Sequence, residues 1–163
     1  MFIGGYCLSR SMTEYKAKTE PTLEQRVDAP AVSNICKKIT TMDMKNVFDA
    51  EFNAPNITKS SVTGGLGSDT CSFQPVAKDV EPVQVVVKYQ TANNSTPSID
   101  QTWKDLVKQT KDSKKLNRLG DDSFYDKTNN TLYVLDDLSI VSINQNKAEQ
   151  GKLVDLAKLI LKK

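Results

Sequence analysis

Three cysteines, two pairs of adjacent aspartates and one glycine-rich run are the features of this sequence whose residue types could do chemistry. The cysteines are Cys7, Cys36 and Cys71, the pairs are Asp121-Asp122 and Asp136-Asp137, and the run is Gly64-Gly65-Leu66-Gly67-Ser68. Histidine is absent. That removes the commonest general base, the usual metal ligand and the usual pH switch together. An enzyme built on this chain would have to work with carboxylates, Lys, Tyr or Cys.

Each feature has a chemical and a plain reading. Zinc takes about four ligands, mostly Cys or His at short spacings, and neither the number nor the spacing is present, so no metal and no other cofactor is expected. Cys36 and Cys71 lie inside the patterned part of the chain and can pair. A disulfide between them is the expectation, and two buried free thiols are the other state open to them. The aspartate pairs Asp121, Asp122, Asp136 and Asp137 sit at turns of one meander, where they could converge on a cation or serve as an acid and base. Asp is also simply a good turn residue, and that reading is preferred, which leaves no catalytic residue. The glycine-rich run lacks the Gly-Lys-Ser/Thr ending of a phosphate loop and follows no apolar strand. It reads as part of a surface loop over residues 56–69.

The elements that must position these residues follow from periodicity. Ile35 and Ile39 lie four apart in a short helix over 31–38. Thr40 with Asp43 forms a capping box for a second, carrying Met44, Val47 and Phe48. Thr70 to Gln74 is a short strand, and Val83, Val85, Val87 and Tyr89 alternate with other residues in the clearest strand of the chain. Ser98 and Gln101 cap a helix whose apolar side holds Ile99, Trp103, Leu106 and Val107. Trp103 reads as a core anchor between that helix and the sheet. Residues 110–115 are polar and read as a loop. Strands at 123–126, 131–135 and 138–143 form the meander, and a final helix, capped at Gln145 or Asn146, bears Leu153, Leu156, Ala157, Ile160 and Leu161 as one stripe.

These elements predict an α+β fold: an antiparallel sheet of about 5–6 strands with two short N-terminal helices, one middle helix and a C-terminal helix packed on it. A length of 163 residues suits one domain over 30–163, preceded by a disordered leader and linker over 1–29. Within that leader, Phe2 to Cys7 resembles the tail of a secretory or lipoprotein signal. Tyr6, however, stands where a lipid-modified cysteine wants a small residue, and no basic start or apolar segment precedes it. The export signal therefore reads as not intact. A net charge of +2, from 22 basic and 20 acidic residues, gives no electrostatic footprint for nucleic acid. No apolar run reaches the roughly 18 residues a transmembrane helix needs.

Taken together, Ile35-Cys36-Lys37-Lys38-Ile39-Thr40, then Asp69-Thr70-Cys71-Ser72-Phe73, then Leu119-Gly120-Asp121-Asp122-Ser123-Phe124-Tyr125 with Thr131-Leu132-Tyr133-Val134 resemble a family of small secreted or lipid-anchored bacterial proteins of unknown function. The resemblance covers about residues 31–161. It implies a fold like that of the photosystem extrinsic subunit PsbP and a lipoprotein setting. It supplies no catalytic residues. The resulting expectation is a non-enzymatic extracytoplasmic binding or accessory protein of the bacterial cell envelope, periplasmic or secreted. It would hold a protein or small-molecule partner on one sheet face or on the loops at 56–69 and 92–97. A cytosolic interaction module with reduced thiols, and a carboxylate- or cation-dependent enzyme using the turn aspartates, are the alternatives.

Overall fold

The computed structural model describes residues 35–62, 64–91 and 96–162. The leader, with Cys7, lies outside the described residues. The first described element, α1 (Ile35–Lys38), is a single turn that buries Ile35 and Cys36. Thr40 then opens α2 (Thr41–Phe48): its hydroxyl accepts the Asp43 N–H at 3.1 Å, and the Asp43 carboxylate accepts the Thr40 N–H at 2.8 Å. Two N–H groups with no partner inside the helix are thereby satisfied. Asp49 ends the helix in a left-handed conformation, φ 55°.

Among the described residues, seven strands follow in one antiparallel sheet: β1 (Asn56–Val62), β2 (Leu66–Phe73), β3 (Val83–Gln90), β4 (Ser113–Lys115), β5 (Asp122–Asp126), β6 (Thr131–Asp136) and β7 (Ser139–Asn144). Their order in space is β1-β2-β3-β7-β6-β5-β4. The chain leaves β3 through α3 (Ile99–Gln109), runs out to the far edge and meanders back, so that β7 docks on β3. Helix α4 (Gln150–Lys162) closes the chain.

The sheet has more strands than the sequence pattern predicts, and both additions are at its edges. Residues 56–69 are not a surface loop but the β1–β2 hairpin, with Gly64 and Gly65 turning it at φ of 92° and 82°. β1 reads Asn-Ile-Thr-Lys-Ser-Ser-Val. That sequence has no apolar alternation, so periodicity misses the strand. β4, inside the polar stretch at 110–115, is the opposite edge. It is three residues long and fully exposed, and short, charged edges resist pairing with other chains. The last helix begins five residues after Gln145. That residue is buried, and its amide instead donates to the Glu81 carbonyl at 2.8 Å.

Alternation along the strands sorts side chains to two faces. On one face the register lines up Val85, Ile143 and Leu132 across three strands, and Val87, Val141 and Val134 beside them. Leu153, Leu156, Ala157 and Ile160 of α4 seal this layer, with Met44 and Phe48 of α2. Cys36 of α1 reaches Cys71 of β2 in a disulfide with Cα atoms 5.3 Å apart. The turn into β5 depends on Gly120. It sits at φ 63°, and a Cβ there would lie 2.3 Å from the Leu135 carbonyl oxygen, which accepts the Asp121 N–H at 2.8 Å. The other face carries a smaller cluster of Leu66, Ile99, Trp103, Phe124 and Ile140, covered by α3.

A candidate ligand groove beside helix α3

Helix α3 is pinned at its N-terminal half. The Ser98 side chain accepts the Gln101 N–H at 3.2 Å, and the Gln90 side-chain carbonyl accepts the Ile99 N–H at 3.3 Å. Trp103 is buried, and its indole N–H donates to Asp122 Oδ2 at 3.3 Å. Its ring packs on Phe124 with centroids 5.2 Å apart, and Phe124 stacks in turn on Tyr133 at 5.0 Å. This aromatic row sets how the helix lies on the sheet.

With Ile99 and Trp103 turned into the cluster, the neighbouring stripe of α3 faces β3. It consists of Thr102, Asp105, Leu106 and Gln109, at i, i+3, i+4 and i+7. Opposite it, the floor is formed by Val86 and Lys88 of β3, Ile140 and Ser142 of β7 and Tyr133 of β6, with Pro97 at the entrance to the helix. The groove between them has a volume of about 420 Å³. Pockets that hold small molecules share this build, an apolar lining with a few placed polar groups.

The polar groups of the groove differ in how far they are committed. The Asp105 carboxylate accepts the Gln101 side-chain amide at 2.9 Å through one oxygen. The Ser142 hydroxyl donates to the Val86 carbonyl at 3.3 Å, and the Thr102 hydroxyl to the Ser98 carbonyl at 2.8 Å. Burial, and then the negative charge of Asp126, push the Tyr133 phenol above its ordinary range, so it stays protonated at any physiological pH. Lys88 is exposed at the groove and forms no ion pair among the described residues.

The four turn aspartates do not form one site. Asp121 accepts the Asp137 N–H at 2.8 Å, which ties the β6–β7 turn to the start of β5. Burial, reinforced by the charges of Asp121 and Asp137, pushes the Asp136 carboxyl up. These three are neighbours. Asp122 points to the α3 face, where Oδ1 pairs with Lys115 at 3.1 Å and accepts the Ser123 N–H at 2.9 Å. Burial opposes its ionisation, but these bonds and that from Trp103 outweigh it and hold the carboxyl below the usual range. Successive residues of a strand face opposite ways, so adjacent aspartates part company on entering β5. Among the described residues no group of three or more Cys, Asp or Glu side chains is arranged to hold a metal ion.

Sequence reasoning missed the groove. Two signals could have found it. Val86 is an apolar residue on the otherwise polar side of β3, between Gln84 and Lys88. The stripe containing Thr102, Asp105, Leu106 and Gln109 runs beside the apolar stripe of α3 rather than diametrically opposite it. Among the described residues, no helix is long and apolar enough to cross a membrane. No protein-family model, curated protein or solved structure significantly matches this chain.

Proposed function

We propose that this chain is a non-enzymatic binding protein of an extracytoplasmic compartment, and that the groove between α3 and the sheet is where it holds its ligand. The groove carries the proposal: a concave space of about 420 Å³ lined by apolar Val86, Pro97, Leu106 and Ile140 together with polar side chains, set on a helix fixed by Trp103. Its size lies in the usual range for small-molecule sites. The compartment rests on the Cys36–Cys71 disulfide, because such bonds persist in oxidising surroundings and are rare where thiols are kept reduced. The bacterial envelope, lipid anchoring and kinship with PsbP-like proteins rest on the resemblance of the cysteine segments and of the Leu-Gly-Asp-Asp meander. The same disulfide weighs against the cytosolic module.

The test is an NMR titration of the oxidised full chain with 1-anilinonaphthalene-8-sulfonate, a small amphipathic probe. Amide shifts should centre on Val86, Thr102, Leu106, Tyr133 and Ile140. Val86→Trp, which fills the floor, should abolish them while leaving the rest of the spectrum in place. Shifts centred elsewhere, or none, would remove the groove as the binding site.

A further inference from the structure

Two opposite charges line this groove without meeting. Lys88 stands on the β3 floor and Asp105 on the α3 wall. Elsewhere in the described structure, lysines and acids that face one another close to contact: Lys45 with Glu51 at 2.9 Å, Lys147 with Glu81 at 2.8 Å, Lys127 with Asp112 at 3.1 Å. Lys88 and Asp105 form no such pair. The Gln101 amide holds Asp105 Oδ1, which steadies the carboxylate while leaving its second oxygen. Val86, Leu106 and Ile140 line the same groove.

Resting on the groove as the binding site, we infer that its ligand is a short apolar peptide with both termini free. The peptide's carboxylate meets the Lys88 ammonium, its ammonium meets Asp105, and its side chains cover Val86, Leu106 and Ile140. The two charges complement the two termini, and an apolar body matches Val86, Leu106 and Ile140 in the same lining. A neutral ligand would leave the second oxygen of the half-buried Asp105 carboxylate without a partner. An anion alone would bring a second negative charge toward Asp105.

The experiment titrates the oxidised, ¹⁵N-labelled full chain with L-leucyl-L-leucine, its N-acetyl derivative and its C-terminal amide. The free dipeptide should shift the groove amides, and each blocked form should bind about tenfold or more weakly, the usual scale of one charge-assisted contact. Lys88→Gln should erase the preference for the free peptide over its amide. Asp105→Asn should erase the preference over the N-acetyl form. An otherwise unchanged spectrum certifies the fold of each variant. Equal binding of the three peptides overturns the inference. So does the absence of peptide binding when 1-anilinonaphthalene-8-sulfonate still shifts the groove amides, an outcome that leaves the groove reading standing. If neither probe touches the groove, both readings fall together.

Discussion

On one face of the sheet, Val85, Val87, Val141, Ile143, Leu132 and Val134 are sealed beneath α1, α2 and α4 and bound by a disulfide. On the other, α3 covers only part of the surface, and Val86, Tyr133 and Ser142 remain half-buried beside it. The same strands supply both faces, so the contrast lies in what is laid over them. A face covered by interlocking helices has no room left for a ligand, because interiors pack as densely as organic crystals. A face crossed by one helix keeps a groove along that helix. If the groove binds as proposed, stability and binding are divided between the two sides, and substitutions on each should report on one property alone.

The largest effect should come from the bond that ties the first helix to the sealed face. Replacing both Cys36 and Cys71 by Ala releases a crosslink spanning 35 residues. On the chain-entropy view this lowers stability by about 4 kcal/mol. Urea unfolding of the oxidised wild type against the double variant measures it. A difference under about 1 kcal/mol would mean that α1 contributes little to that face.

Next are two leucines, one from each side. Leu156 has no exposed surface, whereas Leu106 lines the groove and is half-buried. Leu156→Ala should cost about 3 kcal/mol, as other buried leucines do, and Leu106→Ala under about 1 kcal/mol. Ligand binding should respond in the opposite order. If Leu106→Ala proved as destabilising as Leu156→Ala, the groove would be part of the core and the division between faces would fail.

A smaller effect is expected at Gly120. An alanine there would place its Cβ 2.3 Å from the Leu135 oxygen at a φ of 63°. The chain must shift or hold the strain, and Gly120→Ala should cost about 2 kcal/mol by thermal unfolding. An unchanged melting temperature would show that the turn into β5 yields easily, and the Leu-Gly-Asp-Asp sequence would then have no steric reason to contain glycine.

These sites also show what could be read from residue order. The sealed face was legible because its signals are strong: alternation in Val83 to Tyr89, the stripe of α4, the Thr40–Asp43 capping box, all present in the structure. The Cys36–Cys71 disulfide was also anticipated. The edges were not. Neither β1 nor β4 carries an apolar alternation in its sequence, and their pairing is set by the hairpin turn and by β5 respectively. The groove was invisible for a different reason. It arises where α3, β3, β6 and β7 meet, and the topology that inserts β7 beside β3 brings Ser142 next to Val86, residues 56 positions apart in sequence. Residue order did not show how the aspartates divide: Asp121 and Asp122 are adjacent in the chain, yet they serve different faces.

That separation leads to the smallest effect, which is read in its sign. Asp136 is pushed up by burial and by Asp121 and Asp137. A carboxyl whose folded pKa lies above its unfolded value favours folding when protonated. That contribution is full below the unfolded value, near pH ~3.9, and is lost as pH rises through the folded one. Asp136→Asn should therefore raise the melting temperature at pH 7, with the gain vanishing below about pH 3. Asp122 is the reverse case: burial is outweighed by its bonds to Lys115, the Ser123 N–H and Trp103, and the carboxyl is held low. Its contribution is present above pH ~3.9 and is lost as pH falls through the folded value. Asp122→Asn should thus lower the melting temperature at pH 7 and approach wild type in acid. Both carboxyls are partly in contact with water, so solvent screening keeps both shifts small. Melting curves of the two variants between pH 2 and 8 distinguish them. Shifts of the same sign at pH 7 would mean that the two faces do not impose the opposite electrostatic surroundings described for this one turn.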